Sequence, residues 1–153
     1  MALVSLYELP PKGSLLGLDP GTKTIGVAGC DIGRMIASGL ETIVRGKKLA
    51  PSLDRLFQLY DQRQSVGIVM GMPINMDGTE GPRAQSARAP AHNIAGRRDI
   101  PVALWDERLS TVAVTRAMLD ADLSRKRRGE VVDKAAAAYI LQGVLDRLAA
   151  VRS

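Results

Sequence analysis

Apolar residues fall in short runs between turn-forming residues over the first third of the chain, and at helical spacing further on. Leu15-Leu16-Gly17-Leu18-Asp19 is an apolar run that fits a buried strand. Pro20-Gly21-Thr22-Lys23 is turn chemistry, because Pro presets one dihedral and Gly frees the next. Residues 24–30 read as a second strand that pairs with the first as a hairpin, and Gly33 marks a further turn before a third strand over 35–44. Residues 49–64 carry Leu53, Leu56, Phe57 and Tyr60 along one side of a helix, with Pro51 suited to its first turn. The wholly apolar run 66–71 has the character of a central parallel strand. A loop rich in Gly, Asn and Asp follows over 73–82. Residues 83–94 look helical, with Pro90 expected to kink or shorten that helix. A strand over 100–105 ends at Asp106-Glu107, and Ser110 is an N-cap candidate for a helix over 111–119. The charged stretch 120–129 breaks the pattern, and 132–151 is a long amphipathic helix.

Hairpin strands first, then alternating helix and strand, then a terminal helix describe an α/β domain. Its sheet is mixed, antiparallel at the start and parallel afterwards. A length of 153 residues fits one domain, read as 14–153 behind a flexible leader over 1–13. Hydrophobic residues at 46% supply a core, and charged residues at 24% argue against disorder. Aromatics at 3% leave too few rings for an extended stacking platform. One cysteine, Cys30, excludes an internal disulfide framework, and one histidine, His92, excludes a paired-histidine metal centre. A net charge of +5 favours a polyanionic partner. The leader's prolines, glutamate and lysine are unlike a signal peptide, and no apolar run has membrane-spanning length. The expectation is a cytoplasmic protein with no membrane role.

Acidic residues stand at special places: Asp19 closes the first strand, Asp106 and Glu107 close the last, and Asp133 opens the final helix. Open α/β sheets build their sites at strand ends. Carboxylates gathered there repel one another unless a cation neutralises them, and Mg2+ or Mn2+ suits all-oxygen ligands. Two such ions about 3.5–4 Å apart can hold the attacking and leaving oxygens of a phosphodiester. That chemistry needs no catalytic His, Cys or Ser. Each acid also has a structural role open to it: turn stabilisation for Asp19, helix-dipole pairing for Asp133, a surface ion pair for Asp106-Glu107-Arg108. Strand alternation sends Asp106 and Glu107 to opposite faces and leaves open which one joins the site.

Four segments together resemble the YqgF/RuvX family, a group described both as Holliday-junction resolvase-like and as pre-16S rRNA nucleases. They are Leu16-Gly17-Leu18-Asp19-Pro20-Gly21-Thr22-Lys23 with Ile25-Gly26-Val27-Ala28; Val69-Met70-Gly71-Met72-Pro73 with Asn75-Met76-Asp77-Gly78-Thr79-Glu80-Gly81; Asp106-Glu107-Arg108-Leu109-Ser110-Thr111; and Val132-Asp133-Lys134-Ala135-Ala136-Ala137. The resemblance implies an RNase H-like fold, a five-stranded mixed sheet flanked by helices. It also implies a metal-dependent nuclease in which Asp19, Glu107 and Asp133 hold Mg2+ or Mn2+; the choice of Glu107 over Asp106 rests on the resemblance alone. The implied work is pre-16S rRNA end processing on pre-30S particles, with branched-DNA cleavage as the alternative.

Within that frame Gly21 lets the first turn approach a phosphate, and Thr22 and Lys23 are placed to contact it. Arg108 is placed to orient Glu107 or grip a phosphate. The run Arg125-Lys126-Arg127-Arg128 forms a phosphate-contacting segment beside Asp133, giving affinity without sequence choice. A non-catalytic rRNA-binding assembly factor also fits the basic charge. Asp19-x-Gly21-Thr22 is similar, too, to the first phosphate loop of the actin and sugar-kinase superfamily. Those proteins close two domains over ATP, which one domain's length does not supply.

Overall fold

The computed structural model describes residues 3–21, 23–72, 82–106 and 125–152, with side chains described throughout except at 82–86, 125–134 and 152. The chain forms strands β1 (Ser14–Pro20), β2 (Thr24–Cys30) and β3 (Ala37–Val44), helix α1 (Ala50–Gln62), strand β4 (Ser65–Met72), helix α2 (Pro82–Arg97), strand β5 (Val102–Asp106) and helix α3 (Arg125–Arg152). The sheet order is β3-β2-β1-β4-β5. β1 pairs antiparallel with β2 and parallel with β4, and β4 pairs parallel with β5. The expected mixed five-stranded sheet is therefore present.

Strand alternation divides the core between two faces. Leu16, Leu18, Ile68, Met70 and Val102 pack beneath α1 and α2. Leu15, Val69, Ala103 and Trp105 pack beneath α3, against Ala136, Ala137, Ile140, Leu141 and Val144. β1 is buried along its whole length because it lies mid-sheet with helices over both faces.

Three boundaries differ from expectation, each for a local reason. β3 begins at Ala37, not at 35, because the Asp31 carboxylate accepts the Met35 and Ile36 N–H groups at 2.9 Å each. Those amides close a turn and so leave the ladder; the bond from Ile36 does most to hold the Asp31 pKa below its usual value. α2 continues from Pro82 to Arg97 through Pro90, so the proline does not shorten it. The Pro90 ring is buried on the same stripe as Ala87, Ala91 and Ile94. Apolar burial of that stripe outweighs the one backbone bond proline forfeits. α3 begins at Arg125, well before 132. Asp133 therefore lies within the helix and does not open it, and Arg125 to Arg128 belong to its first turns, not to a loop. Gly129 costs a helix only about 1 kcal/mol, which a helix of 28 residues absorbs. The helix expected over 111–119 and the loop over 73–81 lie outside the described residues.

The leader, expected to be loose, packs on the sheet. Val4 bridges Ala103 in parallel, its N–H donating to the Val102 carbonyl at 2.9 Å. A 3-10 turn follows at Leu6–Glu8, and Leu9 is buried. Arg34, in the left-handed region at φ 58°, donates to the carbonyls of Pro10 and Gly13 at 2.6 Å each and ties the leader's end down.

Two features position the upper end of β1. A Cβ at Gly17 would meet Leu141 Cβ at 2.7 Å and the Ala137 carbonyl at 3.1 Å, so only glycine lets α3 lie this close. Beyond β1, the Gly21 N–H donates to the Thr24 carbonyl at 2.8 Å, and the Arg45 N–H to the Lys23 carbonyl at 2.8 Å. The Arg45 guanidinium donates to the Gly21 carbonyl from the other side.

Gly17→Ala is expected to destabilise the protein by about 1–3 kcal/mol, since the helix backbone must move. Gly96→Ala, in α2 with nothing near its would-be Cβ, is expected to stabilise it by about 0.5 kcal/mol. Urea midpoints with unchanged slopes check both signs. Arg45→Ala removes a charged donor worth about 1.5 kcal/mol. The Gly21 amide is then expected to exchange its hydrogen about tenfold faster, read by NMR, while core amides stay protected.

Candidate metal and nucleic-acid site

Asp19 is a carboxylate at the carboxyl end of the central strand, and it is only 1% exposed. It pairs with Gly26 of β2, and its strand neighbours are the buried Leu18 and Pro20. Alternation puts Asp19 on the face of Leu15 and Gly17, the face that α3 covers.

The direction of α3 decides what lies above Asp19. The start of β1 adjoins the far end of α3, where Gly13 shares a hollow with Leu145, Leu148 and Ala149. Midway, Gly17 faces Leu141 and Ala137. The helix thus runs antiparallel to β1, and moving from Gly17 to Asp19 corresponds to moving from Ala137 one turn back. One turn back is position 133. Backbone direction therefore carries position 133 to the same end of the same face as Asp19. The Asp133 side chain lies outside the described residues.

On β5, Ala103 and Trp105 belong to the α3 face, whereas Val102 and the partly buried Leu104 pack on the opposite face. Asp106 follows the parity of Val102 and Leu104 and pairs in register with Met72. By strand parity position 106 therefore belongs to the face away from Asp19. Glu107 and Arg108 lie outside the described residues, as do Thr22 and the loop over 75–81. Among the described residues no three His, Cys, Asp or Glu side chains gather closely enough to hold a metal.

Lys23 is exposed at the β1–β2 turn. Beside it stands a group that sequence reasoning missed. Val44 pairs with Thr24, so the segment after β3, Arg45-Gly46-Lys47-Lys48, emerges at the Asp19 end of the sheet. Lys47 and Lys48 are exposed, and Arg45 is half-buried against Gly21, where burial draws its pKa below the ordinary guanidinium value. Three cations in four residues were visible in the chain, but only the antiparallel β2–β3 pairing brings them to the first turn. The backbone of Arg125 to Arg128 forms the start of α3, two turns before position 133. His92 is exposed on α2 and apart from this end. Cys30 is a buried strand residue whose sulfur exchanges long contacts with the Leu15 backbone, at 3.4 Å from the N and 3.8 Å from the O. No helix among the described residues is long and apolar enough to cross a membrane.

This arrangement has close counterparts among known proteins. The family model described as "RuvX: Holliday junction resolvase" matches residues 13–147. A Bradyrhizobium sp. protein named "Putative pre-16S rRNA nuclease" is 57% identical over 143 residues, covering 94% of this chain and 88% of that one. A Rhodobacter capsulatus protein of the same name is 59% identical over 141 residues, covering 92% and 88%. In three dimensions the chain resembles T. thermophilus RuvC, solved in complex with a Holliday junction substrate. The TM-score is 0.55 at 13% identity, over 90% of this chain and 96% of that one; a likeness that remote in sequence speaks for a shared RuvC-like, RNase H-like fold. With a family model spanning nearly the whole domain and relatives above half identity, the chain belongs to the RuvX family.

Proposed function

We propose that this protein is a metal-dependent nuclease that hydrolyses phosphodiester bonds in structured RNA, in the processing of pre-16S rRNA ends on pre-30S particles. The observation that carries this reading is Asp19. It is a carboxylate held 1% exposed at the end of the central strand, on the face and at the end where α3 brings position 133. A carboxylate fixed at that place is a suitable oxygen ligand for a hard divalent cation. The names borne by the Bradyrhizobium and Rhodobacter relatives support RNA as the substrate.

Asp19, Glu107 and Asp133 are the residues that would hold Mg2+ or Mn2+. An all-carboxylate donor set is the kind these hard cations prefer. Held by these residues, such ions would supply a water nucleophilic at neutral pH and neutralise charge on the phosphate. The chain's own residues do the rest. Buried and fixed by its strand, Asp19 presents its oxygens without rotamer searching. The Arg45-braced turn keeps Gly21 and Lys23 beside it, where the lysine meets a phosphate of the bound strand. Lys47 and Lys48 extend the positive surface along the same edge. Arg108 orients Glu107 or contacts a phosphate. Arg125, Lys126, Arg127 and Arg128 place four cations in the first turns of a helix, where the dipole repels them. A bound phosphate relieves that repulsion.

The test is cleavage of a 16S precursor fragment beside a four-way DNA junction, each with Mg2+, with Mn2+ and with excess EDTA. Asp19→Asn is expected to cut the RNA rate by about a thousandfold while the urea midpoint stays near that of the parent. Activity of the variant within about twofold of the parent, or undiminished activity in EDTA, contradicts the nuclease reading. Preferential cutting of the junction replaces RNA by branched DNA as the substrate. For the basic segment, replacing Arg125, Lys126 and Arg127 by Gln is expected to flatten the slope of log affinity against log salt by about 2. An unchanged slope places the phosphate contacts elsewhere.

A further inference from the structure

Lys47 and Lys48, in the segment that follows β3, are cations the fold does not use for itself. We propose that with Lys23 they form a subsite for a backbone phosphate flanking the scissile one, so that the substrate strand crosses the ends of β1, β2 and β3 in that order. The proposal deepens the nuclease reading and rests on it for placing the scissile phosphate at Asp19.

The balance of charge is the first argument. Lys12, Lys23, Lys47 and Lys48 are the lysines whose side chains are described, and all are exposed. None of them has a hydrogen-bond or ion-pair partner among the described residues. Lys12 stands before the start of β1, and the other three stand at the Asp19 end. The guanidinium groups around α1 are committed instead: Arg55 to Glu41, Arg97 to Asp54 and Arg98 to Asp61. Those pairs take up the acids nearest the lysines along the chain. Residues 42–53 contain no Asp or Glu, and α1 has no acid in its first turn. Cations gathered without carboxylates to neutralise them repel one another, and a polyanion laid over them relieves that repulsion.

The sheet sets the distance from Asp19. Adjacent strands lie about 4.8 Å apart, so the end of β3, two strands over, is about 10 Å from the end of β1. A phosphate held there is a neighbour along the strand and not the one being cut. The spacing is also braced. The Arg45 N–H donates to the Lys23 carbonyl at 2.8 Å, the Gly21 N–H to the Thr24 carbonyl at 2.8 Å, and the Arg45 guanidinium to the Gly21 carbonyl. These bonds tie the basic segment to the turn that follows Asp19. A strand gripped at Lys47 and Lys48 is therefore held in register with the carboxylate. An ammonium acts on a phosphate as a point charge, so the grip carries no choice of base.

The test is binding of a short fluorescein-labelled oligouridylate to the full-length protein, followed by anisotropy against salt in EDTA, where no cleavage occurs. Replacing Lys47 and Lys48 together by Gln is expected to flatten the slope of log affinity against log salt by about 1.4, the share of two phosphates on a single strand, and to weaken binding about tenfold. Replacing both by Arg is expected to keep the slope. Lys12→Gln removes an exposed cation at the opposite end of β1 and is expected to leave the slope unchanged, which separates a local contact from net charge. In cleavage of a 16S precursor fragment with Mg2+, the loss caused by the double Gln variant is expected to appear in KM, because the contact is the same in the bound and transition states. No measurable binding by the parent, an unchanged slope in the double Gln variant, a comparable change in Lys12→Gln, or a loss carried by kcat overturns the proposal. Salt-dependent binding through these lysines in a protein that cuts nothing removes the enzyme but not the subsite. Cutting with the parent's KM after the lysines are lost removes only the subsite.

Discussion

A side chain at position 17 has nowhere to go. Its Cβ would stand 2.7 Å from that of Leu141, so the middle strand and the terminal helix touch backbone to backbone. Ala136 and Ala137 make the same approach possible from the helix side. Because α3 runs antiparallel to β1, this one contact also fixes a longitudinal register. The strand end that carries Asp19 and the helix turn that carries position 133 are set at one end of the molecule. Larger residues at 17 or 137 would lift the helix from the sheet and separate them.

The two faces of the sheet do different work. The α1/α2 face holds the large apolar side chains and the aromatic pair Phe57 and Tyr60. Arg97 and Arg98 close over that pair and pair in turn with Asp54 and Asp61 at 2.9 and 3.0 Å. Glu41 receives a two-pronged bond from Arg55, at 2.6 and 2.8 Å, tying β3 to α1. This is a face whose polar groups satisfy one another. The α3 face carries a buried carboxylate at its end and two exposed tyrosines, one of them bonded through its hydroxyl to Arg147.

Much of the fold was readable from the pattern of residues. The buried run 15–19 and the turn at 20–23 announced the hairpin, and the apolar run 66–71 announced a parallel strand between covering helices. The errors came where a side chain or distant packing overrode a local rule. Asp31 takes two amides away from the start of β3. Pro90 stays inside α2 because its ring belongs to the buried stripe. The charged stretch 125–131 lacks apolar periodicity, yet it continues α3 because no proline interrupts it. The leader's turn-rich residues gave no hint that Val4 would join β5, since edge pairing depends on a partner a hundred residues away.

For the site, chemistry and placement divide cleanly. The sequence by itself determined which residues could serve: acids at 19, 107 and 133, cations at 23, 108 and 125–128, and a family signature joining them. It also determined the alternation that separates Asp106 from Glu107. Only the tertiary structure decided that Asp19 is buried on the α3 face, that position 106 belongs by parity to the other face, and that Arg45 and its lysines stand beside the first turn. Local sequence encodes the period of a strand or helix and hence which side chains share a face. Which face meets which, and at what register, is fixed by contacts between residues far apart along the chain, and no local pattern carries that information.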